Sequence, residues 1–255
     1  MIGNRIIELA TVGSTNVYAS EVHTAKEFED GDVIWTLNQP SGRGQHDHRW
    51  ISESGKNLTF TVCLKPYFLA PDHQFQLNKA IAMGVLDFIR SFLQIPPNDP
   101  HLIFSIKWPN DLYINGLKIG GILIENRIMG SAFEISIAGI GININQTHFT
   151  AEIPNPVSLF QLLGHETDLK DALSDVCRFL NARYMELERM DQGLLDREYD
   201  ENLLGYNQWM SFMHCGAPLE GRIKGVDNSG RLLLETPDHK ILSLSHGEIV
   251  FLITN

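Results

Sequence analysis

Residues 107–125 read KWPNDLYINGLKIGGILIE, and this stretch decides how the rest of the chain is arranged. An apolar, β-branched strand ends at Lys107, and the proline two residues later holds the residue before it extended while the chain turns. Lys118 opens a second apolar strand, which continues through Gly120 and Gly121. The stretch therefore predicts a β-hairpin with a lysine at either end.

Outward from this hairpin, further apolar runs bounded by glycine, proline or asparagine predict more strands. The predicted strands cover residues 32–37, 58–64, 102–108, 117–125 and 132–144. Apolar residues recur at spacings of three and four in residues 74–93 and 168–190, which predicts two amphipathic helices. A shorter amphipathic stretch covers residues 194–204. This pattern indicates an α+β domain built on a mostly β sheet.

The tail of the chain has a different texture. From about residue 210, short apolar runs alternate with turn signals such as DNSG and TPDH. Several short strands at this spacing predict a small β-barrel or sandwich. We therefore expect a first domain over residues 1–207 and a C-terminal β domain over residues 208–255.

Composition points to a globular protein of the cytoplasm. Of the 255 residues, 43% are hydrophobic and 20% charged, and the formal net charge of −11 argues against non-specific nucleic-acid binding. The cysteines Cys63, Cys177 and Cys215 lie far apart, which disfavours a cysteine-based zinc site and suits a reducing compartment. The start of the chain suggests neither a signal peptide nor a helix-turn-helix, and no apolar run approaches the ~20 residues of a membrane helix.

A loop follows the strand over residues 32–37 and reads QPSGRGQHDHRW over residues 39–50. Gly42 and Gly44 allow the backbone to approach a ligand closely. Arg43 could neutralise a carboxylate or phosphate, and Trp50 could cover an apolar ligand surface. The alternative is a solvated surface turn.

The hairpin itself carries charges suited to group transfer between anions. Lys107 and Lys118 could draw two anions together, and Asp111 is a hard oxygen ligand suited to a magnesium–phosphate complex. The same pattern fits a hairpin with solvated lysines at its ends.

Three further motifs are open to two interpretations each. In IAGIGININQ (residues 137–146), small residues leave space for a ligand or another backbone, and Asn143 and Asn145 could bond a base or ribose; a packed strand is the alternative. In GSTN (residues 13–16), the hydroxyls either cap a helix or grip a polar ring such as a urea. HDH (residues 46–48) has no third metal ligand near it in sequence, which disfavours a metal site.

Taken together and in this order, STN, Q…GRG…W, KWPNDL with K-x-G-G-I-L-I-E, and GIGININ resemble the biotin–protein ligase family, also called biotin–[acetyl-CoA-carboxylase] ligase. The resemblance is strong over residues 8–145 and returns in GRIKGVDNSGRLLLE and HGEI. It implies a class II synthetase-like mixed β-sheet flanked by helices, followed by a small C-terminal β-barrel. It also implies two reactions: biotin and ATP give biotinyl-5′-AMP, and a lysine of a carrier domain then takes the biotinyl group.

The resemblance implies a role for each matching residue. One group would bind biotin: Ser14, Thr15, Asn16, Gln39, Gly42, Arg43, Gly44, Gln45, Lys118 and Gly120. A second group would hold the nucleotide: Trp50, Lys107, Asn110 and Asn143. The implied catalytic groups are Lys118, Arg43 and Asp111. Asp111 would also hold the Mg²⁺ that accompanies ATP and position the acceptor amine.

The loop departs from the family pattern, in which GRG is commonly followed by further arginines. Here Gln45 stands where the next arginine is usual, Asp47 replaces a glycine, and His48 occupies another arginine position. We therefore predict that this loop holds the adenylate less tightly than the loops of arginine-rich relatives.

The resemblance implies as partner the biotin carrier domain of a biotin-dependent carboxylase. It implies no specific DNA, no repressor role and no membrane, and it leaves an oligomer open. One rival is a lipoate–protein ligase or octanoyltransferase, whose RRxxGGG-type motif the sequence lacks. Another is a non-catalytic biotin or nucleotide sensor, which would need none of Lys107, Asp111 and Lys118.

Overall fold

A computed structural model of the chain describes residues 1–23, 28–45, 48–93, 102–189 and 192–252. Its centre is a seven-stranded mixed sheet with the strand order β1-β2-β3-β7-β6-β5-β4. Only the pair formed by β1 and β2 is parallel among the described strands. The strands are β1 (Ile6–Leu9), β2 (Asp32–Thr36), β3 (Leu58–Leu64), β4 (Phe104–Lys107), β5 (Asp111–Ile114), β6 (Leu117–Met129) and β7 (Ala132–Ile142).

Helices cover both faces of this sheet. The alternation of side chains along a strand sends Val33 and Trp35 to one core cluster and Ile34 to another. The first cluster includes residues of two long helices and the second includes Ala19. The helices are α1 (Thr15–His23), α2 (Phe75–Phe92), α3 (Leu159–Leu163), α4 (Leu169–Arg189) and α5 (Gln192–Glu201).

The predicted α+β fold is confirmed, but the predicted hairpin is wrong in one respect, because an unpredicted strand, β5, lies between its two strands and pairs with both. Residues 108–110 connect β4 to β5, and β5 and β6 pair antiparallel across the turn at Asn115 and Gly116. The helix predicted over residues 194–204 is shorter at its end, since α5 stops at Glu201. There the backbone turns to pair with β4: Ile106 N–H donates to Asn202 O at 2.7 Å, and Leu204 N–H donates to Ile106 O at 2.9 Å.

The C-terminal part forms a separate five-stranded antiparallel sheet in the order β11-β10-β9-β8-β12. Its strands are β8 (Trp209–His214), β9 (Ala217–Val226), β10 (Leu232–Glu235), β11 (Ile241–Leu244) and β12 (Ile249–Phe251). This sheet supports the predicted division at residue 207, which stays a prediction. None of the helices in the described ranges combines the length and apolar character that crossing a bilayer requires.

A buried lysine on α2 connects the helices of the first part to the C-terminal sheet. The side chain of Lys79, on α2, has no exposed surface, and its Nζ lies 2.7 Å from Asp196 Oδ1 and donates to Val226 O at 3.0 Å. Trp108, in the turn after β4, donates its indole N–H to Gly230 O at 3.0 Å. Because a buried ammonium is tolerated only when it is paired and hydrogen-bonded, this junction depends on acceptors from both parts.

Candidate active site

A cavity of about 660 Å³ opens on the face of the sheet that carries α1. Its volume is in the range of cavities that enclose small-molecule ligands. Most of the residues predicted for the site line it: Ser14, Thr15, Asn16, Gln39, Arg43, Gly44, Gln45, Trp50, Lys107, Asn110, Asp111, Lys118 and Asn143. Gly42 and Gly120 are not among the lining residues.

One end of the cavity is a buried polar cluster at the start of α1. Thr15 N–H donates to Gln39 Oε1 at 2.8 Å, and Thr15 Oγ1 lies 3.1 Å from the same oxygen. Thr61, on β3, places its Oγ1 2.7 Å from both Thr15 Oγ1 and Asn16 Oδ1. Thr15 and Asn16 are each 3% exposed and Thr61 is fully buried, so these positions are set before any ligand arrives.

The capping interpretation of the GSTN motif holds for one residue. Ser14 Oγ accepts the N–H of Val17 at 3.5 Å, so this serine caps α1 while it also lines the cavity. Thr15 instead turns toward Gln39 and Thr61. The capping interpretation therefore applies to Ser14, and the ligand-binding interpretation stays a prediction.

The glycines of IAGIGININQ leave room for side chains of the protein itself. A Cβ added at Gly139 would overlap the Asn16 amide, and one added at Gly141 would overlap the Trp50 ring. The space that we predicted for a ligand or another backbone is therefore filled by Asn16 and Trp50. Gly139 and Gly141 lie on the same face of β7, so the side chains of Asn16 and Trp50 pack beside each other against that face.

The opposite end of the cavity carries opposed charges. Lys118 Nζ lies 2.7 Å from Asp111 Oδ1 and 6.0 Å from the centre of the Trp50 ring. The backbone of Lys118 is held as well, because its N–H donates to Asn155 O at 2.7 Å and its carbonyl accepts from Val157 at 2.9 Å. The ammonium can therefore exchange partners while its backbone remains in place.

Lys107 lies in the same cavity but contacts the C-terminal sheet. Its Nζ is 5.8 Å from the centre of the Phe251 ring. His246 lines the cavity too, and its ring centre is 5.8 Å from that of Trp108. The C-terminal sheet thus forms part of the cavity wall.

The glycine-rich loop folds back on itself over the cavity. Gly44 N–H donates to His48 O at 2.8 Å, and Trp50 N–H donates to Gly42 O at 3.1 Å. A side chain at Gly42 would overlap the Trp50 carbonyl, which explains this glycine although it does not line the cavity. Arg43 Nη1 lies 3.4 Å from Glu125 Oε1 on β6, and this contact ties the loop to the sheet.

The predicted asparagines are bonded to the protein backbone. Asn110 Nδ2 donates to Ile122 O, and Asn143 Nδ2 donates to Val157 O at 3.0 Å. The Asn145 amide donates to Thr167 O at 2.8 Å and accepts from Thr167 N–H at 2.9 Å. Because both ends of its amide are engaged and it does not line the cavity, Asn145 is unsuited to the contact with a base or ribose that we predicted.

The sequence motifs did not identify several residues in or beside the cavity. Glu125 does not line the cavity, but it accepts from Asn16 Nδ2 at 3.0 Å and pairs with Arg43, and the alternation of side chains along β6 could have identified it. Burial beside Asp111 raises the pKa of Tyr113 to about 12, which keeps its phenol protonated in the cavity. His246 lies between β11 and β12 of the C-terminal part, and no local sequence pattern predicts that it lines the cavity.

Among the described residues, no group of three or more His, Cys, Asp or Glu side chains could hold a metal ion. His46 and Asp47 of the HDH run lie outside the described residues. A single carboxylate, Asp111, fits a Mg²⁺ that arrives with ATP, because such an ion keeps several waters and takes phosphate oxygens as ligands.

Two family models match the chain. Residues 9–143 match the Biotin/lipoate A/B protein ligase family, and residues 216–252 match the Biotin protein ligase C terminal domain. Among curated proteins, the bifunctional ligase/repressor BirA of Bacillus subtilis is 27% identical over 239 residues, which are 92% of this chain and 71% of that protein. The biotin–[acetyl-CoA-carboxylase] ligase of Mycobacterium tuberculosis is 25% identical over 244 residues, or 96% of this chain and 88% of that protein.

Solved structures share the fold. The biotin protein ligase from Aquifex aeolicus in complex with biotin and ATP superposes with a TM-score of 0.78 at 24% identity, covering 97% of this chain and 98% of that one. The biotin protein ligase from Leishmania major in complex with biotinyl-5-AMP gives a TM-score of 0.65 at 20% identity, with 95% and 99% covered.

Proposed function

This chain belongs to the biotin/lipoate A/B protein ligase family, and we infer from its relatives that it is an ATP-dependent biotin–protein ligase. It activates biotin as biotinyl-5′-AMP and transfers the biotinyl group to a lysine of a biotin carrier domain. One observation carries this conclusion: a single cavity has a buried hydrogen-bonding end and, at its other end, the Lys118–Asp111 pair.

The buried end would bind the ureido ring of biotin. Three consecutive residues and one from the following loop present hydroxyl and amide groups there: Ser14, Thr15, Asn16 and Gln39. The valerate chain then runs along the cavity toward the loop, where Arg43, Gly44 and Gln45 cover it and Gly42 shapes the turn. Gly120 would act through the backbone of β6, since it does not line the cavity.

The charged end would bring the two anions together. A carboxylate oxygen of biotin attacks the α-phosphorus of ATP, the bond to the bridging oxygen breaks, and pyrophosphate leaves. Asp111 would hold the Mg²⁺ that accompanies ATP, and this ion would neutralise phosphate charge. Lys118 exchanges its contact with Asp111 for the carboxylate and the phosphate, and Arg43 adds a second positive charge. Lys107, Asn110, Asn143 and the Trp50 ring would hold the nucleotide.

The second step uses the carboxylate that Lys118 has released. The neutral amine of the carrier lysine attacks the acyl carbon, the bond to the phosphate oxygen breaks, and AMP leaves. Asp111 would orient that amine and accept a hydrogen bond from it, and the nitrogen loses one proton to water as the amide forms. The loop over residues 39–50 would shield the mixed anhydride from water until the amine arrives.

We further propose that the carrier belongs to a biotin-dependent carboxylase and that the reaction takes place in the cytoplasm. Three free cysteines support a reducing compartment. Burial raises the pKa values of Cys63 and Cys177 to about 12, so these thiols stay unreactive.

The decisive test is magnesium-dependent ATP–pyrophosphate exchange with purified protein, comparing biotin with lipoate and octanoate. We expect exchange with biotin alone. Exchange driven by lipoate or octanoate would move the protein to the other branch of the family, and no exchange with any acid by folded protein would favour a sensor. The carrier half-reaction is then followed by mass spectrometry as the gain of one biotinyl group on a carrier domain.

A further inference from the structure

The turn between β4 and β5 carries a charged side chain at each of its ends. Lys107 ends β4 and Asp111 begins β5, and the two residues lie directly opposite each other in the register of the strands. Both side chains line the cavity. Because only Trp108, Pro109 and Asn110 separate them, the shape of this turn decides where both charges stand.

The first and last residues of the turn are bonded to neighbouring parts of the protein. Trp108 donates its indole N–H to Gly230 O of the C-terminal part at 3.0 Å. Ile122, on β6, donates its N–H to Asn110 O at 3.1 Å, and its own carbonyl accepts from Asn110 Nδ2. These bonds hold the two ends of the turn and leave its middle residue, Pro109, to be held from elsewhere.

Two buried side chains from different helices donate to the carbonyl of Pro109. The hydroxyl of Tyr199, on α5, donates at 3.1 Å, and Asn78 Nδ2, on α2, donates at 3.0 Å. Tyr199 is fully buried, and burial together with the charge of Asp200 raises its pKa, so the phenol keeps the hydrogen that it donates. Its ring packs edge-on against Phe75 with ring centres 5.7 Å apart, which fixes the direction of the hydroxyl.

We propose that Tyr199 is a positioning residue: together with Asn78 it holds the Pro109 carbonyl, and so it keeps the turn that presents Lys107 and Asp111 to ATP and its Mg²⁺ in the reactive geometry. The inference rests on the proposed function and adds to it a residue that does not line the cavity. A carbonyl oxygen has two lone pairs, and here each one has a buried donor. Because small displacements of charged groups cost much of a reaction rate, losing one donor should affect the chemistry on the nucleotide side.

The test compares Tyr199→Phe with Tyr184→Phe, since each variant removes one hydroxyl from a buried ring and keeps the ring itself. Tyr184, on α4, donates to Asp30 Oδ1 at 3.3 Å and does not line the cavity. Pyrophosphate exchange is measured while MgATP and free Mg²⁺ are varied, biotin affinity is measured by calorimetry without ATP, and thermal melting checks folding. We expect Tyr199→Phe to lower kcat/KM for MgATP about tenfold, the effect of one lost buried hydrogen bond, and to raise the Mg²⁺ concentration that gives the half-maximal rate. Its Kd for biotin, and every value for Tyr184→Phe, should stay within about twofold of the unaltered protein.

Asn78→Leu tests the same carbonyl from α2 and takes the place of Tyr199→Phe if that variant does not fold. It should show the same profile, and the double variant should lose more than the product of the two single losses, because the Pro109 carbonyl then keeps neither donor. Equal losses in Tyr199→Phe and Tyr184→Phe, or a fall in biotin affinity as large as the fall in kcat/KM for MgATP, would overturn the proposal. Failure of the proposed function is distinct, because the unaltered protein would then show no biotin-driven pyrophosphate exchange.

Discussion

The two ends of the cavity are built in opposite ways. At the buried end, which we propose binds the ureido ring and therefore call the ureido end, Thr15 and Asn16 are each 3% exposed and are held by the fully buried Thr61. At the loop, which we call the loop end, the side chain of Arg43 is 52% exposed and lies 3.4 Å from Glu125, which is 37% exposed and also accepts from Asn16 Nδ2. Under the proposed function, recognition of biotin would rest on this preset cluster, and the chemistry on charged side chains that pair with each other in this structure.

This difference follows from energetics. Breaking a buried hydrogen bond and leaving one partner unsatisfied costs about 1–3 kcal/mol, so the ureido end resists rearrangement. An exposed ion pair contributes only about 0–1 kcal/mol, so Arg43 can leave Glu125 for a substrate anion at little cost. The buried hydrogen-bonding cluster is therefore rigid, whereas the exposed charged side chains can change partners when the reacting anions bind.

Replacing Lys118, the proposed catalytic lysine, should have the largest effect on the comparison between the two ends. We expect Lys118→Met to reduce biotin-dependent pyrophosphate exchange by about 10²–10³, the usual effect of removing a group that stabilises developing charge. Biotin binding without ATP should change much less, because the ureido end is untouched. Lys56→Met is the control, since Lys56 pairs with Glu166 at 2.9 Å and does not line the cavity. Equal activity in the two variants would remove Lys118 from the mechanism.

The two glycines of β7 allow each end to be disturbed separately. Gly139→Ala pushes on Asn16 and should weaken biotin binding, whereas Gly141→Ala pushes on Trp50 and should raise the KM for ATP. Overpacking costs about 1–3 kcal/mol, so we expect effects of about tenfold or more. Gly139→Ala should have the larger effect, because Asn16 is buried and Trp50 sits on a loop. Titrations of each ligand measure this crossover, and identical profiles for both variants would contradict it.

Gln45→Arg should make the loop hold the adenylate more tightly. Gln45 lines the cavity, and its Oε1 is buried with no hydrogen-bond partner among the described residues. An arginine there would meet the adenylate phosphate with a charge-assisted hydrogen bond, so we expect biotinyl-AMP to leave about tenfold more slowly. Stopped-flow or filter-binding release rates test this, with Gln45→Met as the uncharged control. A rate that is unchanged or faster with arginine would refute the predicted looseness of the natural loop.

The smallest effect is expected from Glu125→Gln. This substitution removes the negative charge that pairs with Arg43, but it keeps a side-chain oxygen that can accept from Asn16 Nδ2. The KM for biotin should change less than about threefold at low salt, and the change should vanish at high ionic strength because exposed pairs are screened. A salt-independent loss of tenfold would show that Glu125 serves the buried end instead.

Much of this site could be predicted because its motifs are local. Lys118 and Asp111 lie on strands of one hairpin, and Arg43 and Trp50 lie in one loop, so short stretches of sequence carried their chemistry. The order of the motifs indicated the family. The same local logic placed the long helices within a residue of their observed ends.

What escaped prediction depends on elements that meet only in the fold. In the sequence Thr61 is an ordinary strand residue, and its hydroxyl reaches Thr15 and Asn16 only because α1 packs on β3. The glycines of β7 indicated space but not which side chains would fill it. Asn145 looked like a ligand contact until its amide was found engaged at both ends by Thr167.

The buried lysine at the junction also bears on whether this protein can be divided. Removing residues 208–255 would strip Lys79 of the Val226 carbonyl, free the Trp108 indole from Gly230, and expose Phe75, which Gly230 approaches. The truncated chain would therefore contain a buried ammonium that lacks one of its acceptors, and the rings of Phe75 and Trp108 would lose their cover. We therefore expect the two parts to stay together, whether the protein is fused to another one, exchanged with a homologue or inherited.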